Sequence, residues 1–473
     1  MYELFSSLIG SISNIMYSYL LIILLLAVGL YFTFRTKFIQ VRLLGESIRL
    51  VADNKSEGNK VSSFEALMVS TASRVGTGNI VGVANAIAIG GYGAVFWMWV
   101  IALVGGASAF IESTLAQIYK KRDNEGGSYG GPAYYIEAAL NSRWLGVIFA
   151  ISLIATYAVG FNMLCSYNLV TSFSSYSFYG NPETSIVPSV IGAVIAVITA
   201  VCILGGAKRV VKVTGLLVPI MGVTYIIMAL ITMVLNFDML PMVFKNIFAG
   251  AFDFRAIFGG FAGSALMQGI KRGLYSNEAG VGSAPNAAAA AEVSHPVKQG
   301  LVQMLSVFID TILVCTATAM MCLSSGMVPS AELKGAPFVQ AALSNTFGSF
   351  GIYFVTFALL LFAFTTLLGN LFYCEGALNY IAKKTVTKTT MTIFRVIACI
   401  VIFVGATLDF GLVWDIADVL MGVMALINLP VIVILGKTAI TCLNDYIAQK
   451  KAGKDPQFKA STVGLEGKVD FWN

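Results

Sequence analysis

The feature that most constrains this chain is its series of long apolar runs, which are separated by short polar connections. A membrane helix needs about 20 apolar residues to cross roughly 30 Å of hydrocarbon, and eleven runs of about that length follow one another. Only 11% of the residues are charged, whereas soluble proteins carry about 25%. The sequence therefore predicts an all-α polytopic membrane protein whose solvent is the lipid bilayer. The expected spans are 17–35, 64–89, 93–118, 145–171, 186–204, 213–235, 256–288, 298–325, 348–372, 392–408 and 412–436.

The distribution of basic residues predicts how the chain is oriented. If the N-terminus lies outside and the spans alternate, 24 of the 30 Lys and Arg residues fall in cytoplasmic loops or in a cytoplasmic tail at 437–473. Because such loops are enriched in Lys and Arg, we expect an odd number of spans, an external N-terminus and a cytoplasmic C-terminus in the cell membrane. This asymmetry accounts for the net charge of +6, which therefore does not indicate a nucleic-acid partner. No obligate protein partner is evident.

The chain offers little that could support catalysis or nucleotide hydrolysis. His295 is the only histidine, so a zinc site built on several histidines is excluded. The one G-x-S-x-G string, GGSYG at 126–130, lies in a polar connection between apolar runs and not after a predicted strand, so it does not indicate a nucleophile elbow. The one Walker-like string, VIVILGKT at 431–438, lacks the first glycine of a phosphate-binding loop. We therefore expect no enzymatic activity, and any uphill transport must draw on an ion gradient.

The stretch SRVGTGNIVG, residues 73–82, predicts a membrane helix that is interrupted in mid-membrane. Its glycines do not have the G-x-G-x-x-G spacing of a dinucleotide loop. A capping box, SSFE at 62–65, marks the start of this helix, which puts Gly76 and Asn79 roughly 20 Å into the bilayer. Backbone without its own hydrogen bonds is tolerated in hydrocarbon only where it lines a cavity or finds other partners. Close packing of small residues is the alternative interpretation.

A second interruption is expected in the seventh span, where GSALMQGIKRG places glycines and a glutamine inside an apolar run. The two interrupted spans are five segments apart, which is the pattern of a transporter built from two repeats. Because each unit holds five helices, the second repeat must be inverted relative to the first. We expect an extra N-terminal helix at 13–36, a first repeat at 62–236 and a second repeat at 256–436.

Several long motifs resemble those of the alanine or glycine:cation symporter family. VGTGNIVGVANAI and YGGPAYYIE in the first half, then RGLYSNEAGVGSAPNAAAAA and HPVKQGLVQML in the second, occur in the family's order. The resemblance extends from about 15 to 445. It implies a leucine-transporter-like fold of the APC superfamily and uptake of a small neutral amino acid, alanine or glycine, with Na⁺ as the coupling ion.

The resemblance also implies which residues hold the amino acid. Thr77, Gly78 and Asn79 match the unwound segment of the first broken helix, and Met267 and Gln268 match the second broken helix that faces it. Many family members have tryptophan where this chain has Asn370, which puts the size of the pocket in question. Further substrate contacts are expected at Phe161, Ser264 and Asn370.

The implied sodium site joins backbone carbonyls of the first broken helix to hydroxyls of the eighth core helix. In this sequence the carbonyls belong to Ala72 and Val75, and the hydroxyls belong to Thr365 and Thr366. Two neighbouring threonines can meet an ion from one side of a helix. Alternatively, their hydroxyls donate to carbonyls of the preceding turn.

Placing a charged residue inside the membrane costs free energy, so we first assign each such residue a functional role and a partner. Arg74 and Glu278, on the cytoplasmic parts of the two broken helices, are expected to form part of an inner gate, with local capping of SNEAG as the alternative. Asp310 either pairs with Lys271 or Arg272 or stays protonated. Glu112 is expected to lie near enough to the cytoplasmic side to reach water.

These features together favour a secondary active symporter that works by alternating access. A proton-coupled carrier of the same fold is one alternative. An amino-acid-gated channel or receptor without coupled uptake is another. The sequence leaves open the preference between alanine and glycine, the stereoselectivity, the stoichiometry of Na⁺ and the oligomeric state.

Overall fold

The computed structural model describes residues 2–52, 61–122, 127–181, 185–253, 264–383, 386–408 and 410–472. The first part of the predicted seventh span, 256–263, therefore lies outside the described residues. In chain order the helices are α1 (Glu3–Arg35), α2 (Ile39–Arg42), α3 (Leu44–Ala52), α4 (Ser63–Arg74), α5 (Gly78–Gly90), α6 (Gly93–Ile118), α7 (Pro132–Leu140), α8 (Arg143–Thr171), α9 (Val187–Ile203), α10 (Ala207–Leu235), α11 (Leu240–Ala251), α12 (Ala265–Asn277), α13 (Pro285–Ala290), α14 (Pro296–Ser324), α15 (Ala336–Phe347), α16 (Ser349–Ala382), α17 (Lys388–Gly405) and α18 (Phe410–Lys451).

Eight of these helices are long and apolar enough to cross a membrane, counting only the described residues. They confirm the predicted all-α membrane fold. The total of eleven crossings stays a prediction, since α9 is a shorter apolar helix and two further crossings would each consist of two shorter helices. The eight are α1, α6, α8, α10, α14, α16, α17 and α18.

The first interruption lies where the glycines predicted it, between α4 and α5. The capping box at the start of α4 is present, because Glu65 N–H donates to Ser62 Oγ at 3.1 Å and Ser62 N–H donates to Glu65 Oε2 at 2.8 Å. Helix α4 ends at Arg74, Val75 leaves the helical conformation with ψ of 82°, and α5 opens with a π-helical turn at Gly78–Gly82.

The second interruption lies further along the chain than the glycine pattern predicts. Residues 265–277 form the continuous helix α12, and the break follows it at 278–284, where Glu278 has a φ of 53°. Gly280 and Gly282 have φ values of 84° and 92°, which suit glycine far better than a residue with a side chain. The unwound segment is therefore in EAGVGSA and not in GSALMQG.

The glycines of α12 serve helix packing. A Cβ at Gly269 would lie 2.4 Å from the carbonyl oxygen of Ala94, and one at Gly273 would lie 2.5 Å from Ile101 Cγ2. On α14, a Cβ at Gly300 would lie 2.1 Å from Thr114 Oγ1. Helix α6 is thus held closely between α12 and α14, and residues 107–118 of α6 are all buried.

Helices α9, α10 and α17 expose many large apolar side chains. Val194 and Val197 on α9, Leu216 on α10, and Val396 and Ile400 on α17 are all more than half exposed. Large apolar side chains in this position are expected to face lipid.

The surface predicted to be cytoplasmic carries two smaller features. A two-stranded antiparallel hairpin pairs β1 (Lys121–Arg122) with β2 (Ser128–Tyr129). Helix α18 runs on to Lys451, well past the expected end of the last span at 436. The residues after α18 then return to the helical bundle, where Phe458 N–H donates to the carbonyl of Ser294 at 2.9 Å and Trp472 Nε1 donates to the carbonyl of Gln117 at 2.7 Å.

Candidate functional site

The side chain of Asn79 holds the first interruption open. Gly76 N–H donates to Asn79 Oδ1 at 2.8 Å, and Asn79 N–H donates to the carbonyl of Gly76 at 3.1 Å. In a continuous α-helix these two N–H groups would pair with the carbonyls of Ala72 and Val75. Both carbonyls therefore lose their helical donors, and they are the two that the family resemblance implies for Na⁺.

Thr366 of α16 lies directly against this freed backbone. A Cβ at Gly76 would lie 2.1 Å from Thr366 Oγ1, so only glycine permits the approach. Thr366 is 7% exposed, and its hydroxyl has no hydrogen-bond partner among the described residues. Freed backbone carbonyls are the groups that coordinate Na⁺ in broken membrane helices. Ala72, Val75 and Thr366 thus fit a sodium site.

Thr365, the other predicted hydroxyl, is engaged within its own helix. Its Oγ1 donates to the carbonyls of Leu361 at 3.0 Å and Phe362 at 3.2 Å, and lies 3.4 Å from Met221 Sδ. This is the bonding to the preceding turn that was the alternative for both threonines. The two neighbours therefore differ: only Thr366 offers a hydroxyl oxygen that its own helix leaves unused.

The start of α5 presents the residues expected to bind the amino acid. Thr77 precedes the first turn and is 1% exposed. Its Oγ1 accepts a hydrogen bond from Asn168 Nδ2 at 3.1 Å, which ties the interruption to α8. The N-terminal end of a helix attracts a carboxylate through its unpaired N–H groups and its dipole.

Three aromatic rings, which we call the aromatic layer, cover the glycine face of α5: Phe161, Tyr275 and Trp414. The Phe161 and Tyr275 ring centroids are 4.8 Å apart, and those of Tyr275 and Trp414 are 5.1 Å apart. A Cβ at Gly78 would lie 2.5 Å from Tyr275 Cε1. The predicted contact at Phe161 therefore lies in this layer, where it bounds the space beside the interruption.

The structure places Met267 and Gln268 away from the first interruption. Gln268 Cβ lies against Gly90, at the far end of α5 and roughly 15 Å of helix beyond Asn79. Ser264 caps α12 by accepting from Met267 N–H at 3.2 Å. The part of α12 that reaches the interruption is its last turn, with Tyr275 and Ser276. The break follows Asn277, and binding of the amino acid by Met267 and Gln268 stays a prediction.

Asn370 connects two elements next to the interruption. Its Oδ1 accepts from Ser73 Oγ at 2.7 Å, and its Nδ2 donates to Asn162 Oδ1 at 3.0 Å. It is fully buried. Asn370 thus joins α4, α8 and α16 beside the sodium-site residues, and its amide is used by protein groups.

Asp310, in the π-helical part of α14, accepts hydrogen bonds at both carboxylate oxygens. Asn79 Nδ2 donates to Oδ1 at 2.7 Å, while the hydroxyls of Ser276 and Thr311 donate to Oδ2 at 2.7 and 2.8 Å. The expected pairing of Asp310 with Lys271 or Arg272 was wrong, because another acid, Asp418, binds both cations. Asp310 instead orients the side chain that holds the interruption open.

Lys271, Arg272 and Asp418 form a buried ion cluster. Lys271 Nζ lies 2.8 Å from Asp418 Oδ2, and Arg272 approaches both Asp418 oxygens at 3.1 and 3.2 Å. Lys271 also donates to Ser13 Oγ of α1 at 3.0 Å. The Arg272 guanidinium lies 4.2 Å from the centre of the Trp414 ring. This ion cluster therefore stacks on the aromatic layer and ties α1, α12 and α18 together.

Arg74 and Glu278, the proposed inner gate, do not bond to each other. Arg74 Nη1 donates to Ser306 Oγ at 2.9 Å and to the carbonyl of Gln303 at 3.3 Å, whereas Glu278 accepts from Ser283 Oγ at 2.6 Å. The two charges are nevertheless close enough to interact electrostatically. Within SNEAG itself, Ala279 N–H donates to Asn277 Oδ1 at 3.0 Å, which is a local bond of the kind given as the alternative; the gate stays a prediction.

The second interruption is held by residues that the sequence did not single out for this role. Gly280 N–H donates to Glu112 Oε1 at 3.3 Å, and Asn428 Nδ2 donates to Glu112 Oε2 at 2.8 Å and to the carbonyl of Gly280 at 3.0 Å. Glu112 is fully buried, so the expectation that it reaches water was wrong.

Sequence reasoning missed Tyr275, Trp414 and Asp418 as parts of the site. Tyr275 lies within the quoted RGLYSNEAG motif, so its position one turn before the break was a usable signal. Trp414 and Asp418 lie on α18, distant in sequence, and no local pattern connects them to the interruption.

The model of the sodium:alanine symporter family matches residues 2–460. The amino-acid carrier protein AlsT of Bacillus subtilis is 46% identical, covering 100% of this chain and 98% of that protein. The probable sodium/glutamine symporter GlnT of the same organism is 42% identical over 100% and 97%. The sodium/alanine symporter AgcS of Methanococcus maripaludis is 38% identical over 92% and 96%.

The crystal structure of MhsT in complex with L-phenylalanine has a similar fold. It superposes with a TM-score of 0.55 at 15% sequence identity, covering 88% of this chain and 94% of that one. This likeness confirms the leucine-transporter-like fold class. With the family model matching almost the whole chain, the protein belongs to the sodium:alanine symporter family.

Proposed function

We propose that this amino-acid symporter couples the inward movement of Na⁺ to the uptake of alanine or glycine. The observation that carries the proposal is the group of three oxygens at the first interruption. The carbonyls of Ala72 and Val75 have lost their helical donors to Asn79 and Gly76, and the Thr366 hydroxyl lies against the same backbone. An ion bound there would replace the missing hydrogen bonds, as unwound backbone does in other transporters.

The surroundings of α5 favour a small zwitterion as the cargo. The first N–H groups of the helix suit its carboxylate, and the aromatic layer limits the space for its side chain, since the Tyr275 ring contacts Gly78. The names of relatives include both alanine and glutamine, so uptake should be measured for a panel of amino acids. We expect alanine and glycine to compete with labelled alanine more strongly than glutamine does.

Alternating access would require two closures around this site. On the side predicted to be external, the ion cluster of Lys271, Arg272 and Asp418 lies over the aromatic layer, so opening requires α12 to separate from α18. On the opposite side, the hydrogen bonds between Glu112, Gly280 and Asn428 hold the second interruption. Binding of Na⁺ and the amino acid would shift the equilibrium between the state in which one closure is open and the state in which the other is open.

The test is uptake of radiolabelled alanine into proteoliposomes with and without an inward Na⁺ gradient. We expect accumulation above the external concentration only with the gradient. Thr366→Ala should raise the Na⁺ concentration for half-maximal uptake about tenfold or more, because it removes one group bonded to a charge. Thr366→Ser should keep most of the Na⁺ affinity, and Thr365→Ala serves as the matched control. Unchanged Na⁺ dependence in Thr366→Ala would contradict the site.

Proton coupling is the second candidate, and the buried carboxylates favour it. Glu112, Glu278 and Asp310 are at most 1% exposed, and each lies close enough to Arg74 to interact with it electrostatically. Two relatives are named as sodium/proton-dependent alanine carriers. Uptake that persists without Na⁺ and collapses with the pH gradient would select this candidate. Flux that never exceeds the external concentration would instead select a channel or receptor.

A further inference from the structure

A polar cavity of about 230 Å³ lies where α7, α8 and α16 meet the β1–β2 hairpin. Its wall includes Lys121, Arg143, Lys383 and Glu137, together with Tyr134 and Tyr380. None of these residues belongs to the site at the interruptions.

The charges around this cavity are unbalanced. Glu137 Oε2 pairs with Arg143 NH1 at 2.9 Å, and no ion pair to Lys121 or Lys383 occurs within the described parts of the chain. Among the described residues that line the cavity, three are cations and one is a carboxylate, so basic groups outnumber acidic ones there. Both lysines are exposed, so their ammonium groups are available to a ligand that enters from the surface.

Hydrogen bonds and a cation–π contact hold the residues of the inner wall of the cavity. Arg143 NH2 donates to the carbonyls of Tyr380 at 2.8 Å and Ile381 at 3.1 Å, and the guanidinium lies 4.4 Å from the centre of the Tyr380 ring. The Tyr134 hydroxyl donates to the carbonyl of Gly376 at 3.2 Å. The fixed guanidinium supplies a constant positive background, while the two lysines can adjust to a ligand.

The cavity lies at the ends of two predicted membrane spans, which puts it near the expected membrane interface. Helix α8 begins at Arg143 and α16 ends at Ala382. Trp144, the residue after Arg143, is 68% exposed, and exposed tryptophans in membrane proteins concentrate at the headgroup level. A ligand at this height comes most readily from the lipid leaflet itself.

We propose that this cavity binds the phosphate group of an anionic phospholipid in the leaflet that the basic residues predict to be cytoplasmic. Lys121 and Lys383 bind the phosphate, and Arg143 contributes its charge from the wall. Basic pockets between membrane helices on this side are suited to anionic headgroups. The proposal is independent of the transported amino acid and of the coupling ion.

Binding can be measured on the full-length purified protein in neutral detergent by native mass spectrometry. The probes are phosphatidylglycerol, phosphatidylcholine with the same acyl chains, and inorganic phosphate as a soluble competitor. Each lysine near an anionic lipid surface contributes about a fivefold effect, so Lys121→Gln with Lys383→Gln should weaken phosphatidylglycerol binding about 30-fold. The matched control, Lys388→Gln with Lys451→Gln, removes two exposed lysines outside the cavity and should bind like the wild type.

Three outcomes would count against the proposal. An equal loss of phosphatidylglycerol binding in both double variants would mean that lysines attract the lipid by their charge wherever they lie on the surface. Wild-type binding in the Lys121→Gln, Lys383→Gln protein, with its alanine uptake intact, would exclude the cavity. Displacement of the lipid by an equal concentration of inorganic phosphate would overturn the lipid as the source of the phosphate group.

Discussion

Asn79 acts on the candidate sodium site through geometry, without offering a free group of its own. Its Oδ1 takes the N–H of Gly76, and its Nδ2 donates to Asp310. The side chain thereby removes a donor from the Ala72 carbonyl while satisfying its own hydrogen bonds. We propose that Asn79 positions the carbonyls beside it; its contact with the amino acid stays a prediction.

Exchanging the two partners tests this positioning role. Asn79→Asp would place a second carboxylate against Asp310, and we expect alanine uptake to be lost. Adding Asp310→Asn restores a donor and an acceptor between the two positions, so a substantial part of the uptake should return. The measurement is Na⁺-driven alanine uptake in proteoliposomes. If the double variant transports no better than Asn79→Asp alone, the positioning role is wrong.

Gly78 and Gly82 lie one turn apart and provide a matched pair for the aromatic layer. Gly78→Ala would bring its Cβ to 2.5 Å from the Tyr275 ring, whereas the nearest atom to a Cβ at Gly82 is Trp414 Cη2 at 3.6 Å, an ordinary contact. Overpacking costs about 1–3 kcal/mol. We expect Gly78→Ala to lower both the unfolding temperature and alanine uptake, and Gly82→Ala to leave both near wild-type values. Equal behaviour of the two variants would contradict the close approach of Tyr275.

At the scale of elements, local signals predicted more than distant ones. The capping box at Ser62 and the interruption at Gly76 follow from neighbouring residues, and both were found where expected. The second break was misplaced because the glycines of α12 and those at 280 and 282 look alike in sequence. Only the tertiary contact of α12 with α6 distinguishes the glycines that permit close helix packing from the glycines that permit the turn. The layer formed by Tyr275 and Trp414 depends on tertiary packing, which no local pattern reports.

The packing role of the α12 glycines can be checked with one substitution. Gly269→Ala would put a Cβ 2.4 Å from the backbone oxygen of Ala94 and force α12 away from α6. We expect a loss of about 1–3 kcal/mol in stability, seen as a lower unfolding temperature. Gly376→Ala on α16 is the control, because no atom outside its own helix lies within 4 Å of that Cβ; alanine there favours the helix by about 1 kcal/mol. A neutral Gly269→Ala would argue against the packing.

At the scale of the whole molecule, the segment after α18 closes over the bundle. Lys120 Nζ donates to the carbonyl of Ala291 at 2.8 Å and lies 3.9 Å from the centre of the Phe471 ring. Lys120 lies just beyond the end of α6, and its side chain is nevertheless fully buried. The Trp472 indole completes this cover by donating to Gln117.

Docking of this segment should depend on pH through Lys120. Burial lowers the pKa of Lys120 from its ordinary value of 10.5 to about 7, with Glu292 opposing the change and Arg122 adding to it. The undocked lysine binds more protons between these two values, so docking should strengthen as the pH rises from about 7 to about 10 and stay constant below about 7. The difference in fluorescence between the wild type and Trp472→Phe reports docking. Lys120→Met should abolish the pH dependence; its persistence would contradict the assignment.

The hydrogen bond between Trp472 and Gln117 joins positions that are 355 residues apart in the chain. Protein chains are synthesised from the N-terminus and fold in that order, so this contact can form only after every intervening helix has been made. During synthesis, Lys120 must therefore remain without its aromatic cover while the later helices insert. Docking of Trp472 is then one of the last steps in biogenesis, and a nascent chain held on the ribosome before residue 472 would lack it.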